Sequence, residues 1–140
     1  MVDCNLVGSV YMAPEVISGS KYDERADVYS FGVVMVEVFT GNAPYSEPEF
    51  RDMMNHQLMY KILHEGLRPS LAGVPEEFAL LVGDCWNEDP ASRPDFTEIL
   101  LRLRRLKHMK ISPVVARDNL NDDNYEGIVR LRRTKMYVRN

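Results

Sequence analysis

The sequence predicts an all-α fold, and three observations carry that expectation. Apolar residues recur three and four apart in three separate segments. Capping residues stand before two of these segments, and Gly66 closes one. No convincing strand pattern appears before residue 110.

Taken in order, residues 1–20 carry Gly8, Pro14, Gly19 and several serines. They predict a loop with a short helix around Glu15-Val16-Ile17. Asp23 to Asp27 then leads into a nearly all-apolar run from Val28 to Phe39. Its valines favour a strand. Its twelve residues favour a helix, with Asp27 accepting N–H bonds as N-cap and Thr40-Gly41 as the stop. A helix apolar on every side would be buried all round. Next, Ser46-Glu47-Pro48-Glu49 reads as a capping box, followed by Phe50, Met53, Met54, Leu58, Ile62 and Leu63 at near-helical spacing. A helix from near Pro75 carries Phe78, Leu81, Val82, Cys85 and Trp86 on one side. Asp95-x-x-Glu98 caps the last helix, whose Phe96, Ile99, Leu100, Leu103 and Leu106 are spaced by three and four. After Lys107 the periodicity is lost; residues 129–138 suit a weak strand or a disordered arm.

Composition narrows the classes. With 45% hydrophobic and 27% charged residues, the chain has the balance of a soluble globular protein. Its 140 residues suffice for one modest domain. No run reaches the length of a membrane span, and no secretory signal pattern opens the chain. Cys4 and Cys85 make no disulfide framework, so free thiols in a reducing cytoplasm are the simpler reading. The net charge of −4 is unevenly divided. Residues 107–140 hold eight Lys+Arg and four Asp+Glu, leaving nine and seventeen for the remainder. An acidic body over 1–106 and a basic, weakly structured tail over 107–140 are therefore expected. The run from Arg130 to Lys135 could touch an anionic surface, but a solvated tail is the simpler reading. No nucleic-acid partner is expected.

Three motifs stand in a fixed order. Met12-Ala13-Pro14-Glu15 comes first, and twelve residues on comes Asp27-Val28-Tyr29-Ser30-Phe31-Gly32. Far downstream follows Cys85-Trp86-Asn87-Glu88-Asp89-Pro90-Ala91-Ser92-Arg93-Pro94. Each piece alone is weak, but the combination is specific. Over residues 8–106 it resembles the lower half of the C-terminal lobe of a eukaryotic protein kinase domain: the end of the activation segment plus about four helices. The pattern Cys85-Trp86, Asp89-Pro90, Arg93-Pro94-Asp95-Phe96 is similar to that of the tyrosine-kinase-like group and of the true tyrosine kinases, the resemblance being closest to the former. The resemblance resolves Val28 to Phe39 as a helix.

The resemblance implies roles for particular residues. Glu15, of Ala13-Pro14-Glu15, would pair with Arg93 and tie the substrate-docking loop to the helical base. A guanidinium can offer a carboxylate two parallel hydrogen bonds, which lysine cannot match. In the family, the residue matching Asp27 accepts backbone N–H groups of the catalytic loop; in this chain it is expected to serve only as N-cap. Gly8, Ser9 and Tyr11 fall at the end of the activation segment, a possible substrate-docking loop. The spacing from Gly8-Ser9 to Ala13 is one residue shorter than the family's. Tyr11-Met12 resembles serine/threonine-type members. Trp86 and Phe96 are expected in the core between the last helices.

The catalytic apparatus of such an enzyme is not encoded in these 140 residues. Phosphoryl transfer needs a phosphate cradle, metal ligands and a positioned base together. The eight glycines never approach closer than Gly66 and Gly73, and no His-Arg-Asp occurs. Asp95-Phe96-Thr97 imitates a metal-binding Asp-Phe-Gly but opens a helix after Arg93-Pro94. Val114-Val115-Ala116-Arg117 imitates an ATP-lysine strand but has arginine and stands at the wrong end. Asp122-x-Asn124-x-Glu126-Gly127 begins like a calcium loop, but its twelfth position is Arg133. His56 and His64 lack neighbouring ligands, so no metal site is expected. The expectation is a kinase fragment with no catalytic, cofactor or metal residues of its own, inactive alone. Its parent, using ATP and magnesium supplied by segments upstream of Met1, would phosphorylate a protein hydroxyl, serine or threonine before tyrosine. The rival readings are a non-catalytic helical interaction module and a truncated gene product. Expected partners are a protein substrate, the missing kinase segments, or a second copy through self-association.

Overall fold

A computed structural model describes residues 6–107. Expectations for Cys4, the Val114–Arg117 imitation, the calcium-loop beginning, the basic run at 130–135 and the strand at 129–138 lie outside those residues. Five α-helices follow one another: α1, Pro14–Ile17; α2, Arg25–Thr40; α3, Asn55–His64; α4, Glu76–Cys85; and α5, Phe96–Leu106. Short 3-10 turns cover Leu6–Tyr11, Pro48–Phe50 and Pro90–Ser92. Among the described residues there is no strand, so the fold is all-α.

Helix α2 is the centre of the molecule. It forms despite its valines because buried contacts on a long apolar segment outweigh local β preference. Val28, Tyr29, Val33 and Val36 are all buried. Its stop is Gly41, whose φ of 73° suits glycine and whose N–H reaches the Glu37 carbonyl at 2.8 Å. Its start corrects one expectation. The helix begins at Arg25, so Asp27 lies within the first turn and caps nothing. Asp23 Oδ1 accepts the Arg25 N–H instead, at 2.9 Å. Asp27 itself is exposed.

Helix α4 lies close against α2 at Gly32. A Cβ added there would come 3.0 Å from the Cys85 Cβ, tighter than ordinary van der Waals contact, so a side chain at this position would press on α4. Leu81, Val82 and Cys85 of α4 are fully buried, and Ile99 and Leu106 of α5 complete the same core. Trp86 is buried in it as well. Phe96 is not: it is 46% exposed and meets Phe31 edge-on at 5.6 Å between ring centroids. Standing at the first position of α5, it reaches the rim of the core rather than its interior. The expectation that α2 is buried all round is likewise corrected, since Val34 and Val38 are exposed.

Helix α3 belongs to a second, smaller cluster of Tyr45, Leu58 and Ile62. Val10, Ile17, Phe50, Met53 and Leu67 pack around it, joining α3 to α1 and the first turn. The helix starts later than its sequence suggests. Ser46 makes no cap; Pro48–Phe50 is a single 3-10 turn, and the chain becomes helical only after Met54. There Gln57 Oε1 accepts the Met54 N–H at 3.0 Å, closing the first turn from within.

Candidate functional site

The motif residues converge on one guanidinium. After α4, Asn87 Oδ1 accepts the Asp89 N–H at 2.9 Å. Asp89 then caps the Pro90–Ser92 turn, accepting from Ala91 N–H at 3.0 Å and the Ser92 hydroxyl at 2.9 Å. These bonds favour the ionised form and hold the Asp89 carboxyl below its ordinary range. The turn delivers Arg93 to the interior, where its side chain is fully buried. Arg93 Nη1 donates to Glu15 Oε1 at 2.6 Å and Nη2 donates to Glu15 Oε2 at 3.0 Å, a two-pronged pair. Nη1 also donates to the Arg25 carbonyl and Nε to the Asn87 carbonyl, both at 2.9 Å. One side chain thus fastens α1, the start of α2 and the segment after α4.

Burial alone would push the Glu15 carboxyl up. The hydrogen bonds from Arg93 outweigh it, helped by the residue's own backbone N–H and the guanidinium charge, and the net shift is downward. The ring of Tyr29, fully buried, lies beneath two cations: Arg93 at 5.2 Å and Arg68 at 5.0 Å from its centroid. Arg68 donates in turn to the carbonyls of Trp86, Ile62 and Leu67. It joins the α3 cluster to the segment that carries Arg93.

Ala13 is buried, and Pro14 opens α1 at a position where its missing N–H costs nothing. Gly8 is exposed within the first turn, and Ser9 is buried, its carbonyl accepting the Met12 N–H at 3.1 Å. The Tyr11 hydroxyl donates to Glu37 Oε2 at 2.8 Å, while Ser30 Oγ donates to the Tyr11 carbonyl at 2.8 Å. Burial, then the Glu37 bond and charge, raise the Tyr11 phenol above its ordinary value. The structure therefore brings Glu15 and Arg93 together and seats Tyr11 on α2. It leaves Asp27 apart from both.

Sequence reasoning missed Glu37, Ser30 and Arg68. Glu37 stood out as the one acid in the apolar run from Val28 to Phe39, a signal that was available. Arg68 lies in no motif, and nothing in the chain marked it.

Among the described residues no group of three or more His, Cys, Asp and Glu is placed to hold a metal ion. No helix of the described residues is long and apolar enough to cross a membrane.

Comparison with known proteins agrees with this arrangement. A protein kinase and PP2C-like domain-containing protein of Arabidopsis thaliana is 36% identical over 116 residues, covering 73% of this chain and 18% of that protein. The probable serine/threonine-protein kinase roco5 of Dictyostelium discoideum is 41% identical over 104 residues, 70% of this chain and 4% of that protein. The dual specificity protein kinase shkD of the same organism is 40% identical over 98 residues, 69% and 13% respectively. The chain thus spans only a small part of these curated relatives. The family of protein tyrosine and serine/threonine kinases matches residues 4–103. With that match and the Ala13-Pro14-Glu15 to Arg93 tie in place, the chain belongs to the protein kinase family, as a fragment of the C-terminal lobe.

Proposed function

We propose that this chain is the substrate-side base of a kinase of the tyrosine-kinase-like group, and that its parent phosphorylates serine or threonine of a protein. The observation that carries this is the two-pronged Arg93–Glu15 pair, which anchors the segment bearing Gly8, Ser9 and Tyr11 to the stretch after α4 and, through the Arg25 carbonyl, to the start of α2. Two features support the finer assignment: the Cys85-Trp86 to Arg93-Pro94 pattern, and Tyr11-Met12 before Ala13. The names of the relatives from Dictyostelium, one serine/threonine and one dual specificity, lean the same way.

In this reading the chain positions and does not catalyse. Asp27 waits for backbone donors from the rest of the domain, which also brings ATP and magnesium. The free cysteine and the lack of a membrane-crossing helix among the described residues support a cytoplasmic setting. The exposed face of α2 favours a second reading, a docking module without activity. Grafting residues 8–106 into the kinase domain of shkD decides between them. We expect the graft to phosphorylate serine and threonine peptides and to lose that ability with Glu15→Ala. A folded but inert graft would sink the kinase reading and leave the docking module.

A further inference from the structure

Two neighbouring residues between α2 and α3 carry features that the kinase reading does not use. Tyr45 has a φ of 56°, and among the described residues it is the one non-glycine residue with a positive φ. An aromatic side chain fits that left-handed region poorly, and backbone strain of this kind gathers at ligand clamps and switch segments. Two positions on, Glu47 stands at the N-cap of the Pro48–Phe50 turn, where a carboxylate ordinarily accepts a backbone N–H. Its side chain accepts none. Among the described residues its Oε2 is shut off from water without a hydrogen-bond partner, and Glu47 joins no ion pair. The charges of Arg68 and Glu47 both reach Tyr45. Arg68, however, is committed to the carbonyls of Trp86, Ile62 and Leu67.

Glu47 lines a recess of about 320 Å³, together with Val36 and Thr40 from the end of α2 and with Ala43, Ser46 and Ser70. That volume falls at the small end of the range for ligand sites, ~300–1,000 Å³. The recess lies at the opposite end of α2 from Asp27, roughly 20 Å along the helix axis. We propose that it receives an arginine side chain of a protein partner. Val36 and Ala43 offer an apolar wall to the stem, and the Glu47 carboxylate meets the charge. The terminal torsion of a glutamate is soft, so its occluded oxygen can turn toward the recess. Ser70 Oγ accepts the Ala72 N–H at 3.2 Å and keeps a second lone pair for a further N–H. A guanidinium fits better than an ammonium, because it is less strongly hydrated and grips a carboxylate through two parallel bonds. A metal ion fits worse, since it needs several such ligands and no group of three gathers among the described residues. In the kinase reading the partner is the protein substrate; that identity rests on the reading, and the site does not.

The test titrates the full, isotope-labelled chain with N-acetyl-arginine amide and follows its backbone amide signals. Those of Ser46, Glu47 and Ser70 should shift together. The citrulline counterpart, of the same size but uncharged, should bind at least tenfold more weakly, and the lysine counterpart several-fold more weakly. Glu47→Gln should weaken arginine binding at least tenfold, while Glu88→Gln, at an exposed acid after α4, should leave it unchanged. Equal binding of citrulline, or equal loss in both variants, would reduce the effect to general attraction and overturn the proposal. Equal binding of lysine would overturn the choice of arginine. No shift at these three residues would overturn the site itself. Should Glu47→Gln not fold, the citrulline comparison on the unaltered chain decides alone. An inert shkD graft would sink the kinase reading and leave this binding standing; absent binding would sink this proposal and leave the kinase reading.

Discussion

Arg93–Glu15 and Arg102–Asp84 close at the same 2.6 Å. In the first, the arginine side chain is 0% and the glutamate side chain 12% exposed; in the second the values are 26% and 52%. The first spans 78 positions of sequence and the second 18. Arg93 has two backbone carbonyls besides its carboxylate, whereas Arg102, among the described residues, has besides Asp84 the more distant Glu98 at 3.7 Å. Equal length therefore conceals unequal consequence. Water solvates Asp84 whenever Arg102 swings away, but Glu15 left alone would be a charge held away from water.

The largest effect expected follows directly. Glu15→Ala and Arg93→Ala should each destabilise the fold by about 3–5 kcal/mol in urea unfolding, because each strands the other charge. The double variant should lose less than the sum. Strict additivity would mean the two groups do not interact, and the contrast with the outer pair would collapse. Arg93→Lys keeps the charge but forfeits the two-pronged geometry and the carbonyl bonds. It should cost about 1.5–3 kcal/mol, the range of a charged hydrogen bond. A lysine variant as stable as the parent would show that charge alone suffices.

Acidity provides a third comparison. The Glu15 carboxyl is lowered in the fold, so its unfolded form binds protons more readily. Its contribution is present above the ordinary glutamate value of about 4.5 and is lost as pH falls through the lower folded value. The stability gap between the unaltered protein and Glu15→Gln should be constant near neutrality and shrink in that acid range. A gap independent of pH there would remove the role assigned to the ionised pair.

Cys85 reports on the same asymmetry. Burial is the main cause that pushes its thiol up to about 12, and the thiolate is the reactive form. Alkylation of Cys85 in the native protein should therefore be slow and should follow opening of the core. Arg93→Ala should accelerate it markedly, whereas Arg102→Ala should leave it little changed, apart from the small charge effect of Arg102 itself. Equal acceleration by both would place Arg102 among the supports of the core. The smallest effect belongs to the outer pair: Arg102→Ala or Asp84→Ala should cost at most about 1 kcal/mol and less in high salt.

Much of this arrangement was legible in the chain. Apolar spacing located α4 and α5, and Asp95 caps α5 as its side chain can, accepting the Glu98 N–H at 2.8 Å. Family resemblance named Glu15 and Arg93, whose geometry the structure supplies. Boundaries were less legible. Ser46-x-x-Glu49 has the letters of a capping box, but Tyr45 and Phe50, their rings edge-on at 5.9 Å, pull that segment into the small cluster instead. Asp27 has the letter of an N-cap, but Asp23 had already started the helix one turn earlier.

By itself, then, the sequence determined what depends on neighbours along the chain: helical periodicity, the glycine stop at Gly41, the Asp89 and Asp95 caps, and an acidic body with a basic tail. The tertiary structure alone decided which side of α2 is buried, because a run apolar on every side carries no directional pattern. It alone sank Arg93 while leaving Arg102 at the surface, since burial depends on what arrives from positions 78 residues away. It also recruited Arg68 and Glu37, whose partners, Tyr29 and Tyr11, become neighbours only after α2 is packed. Local bonds are written in adjacent letters; the cost of an unpaired charge is set by everything that excludes water around it.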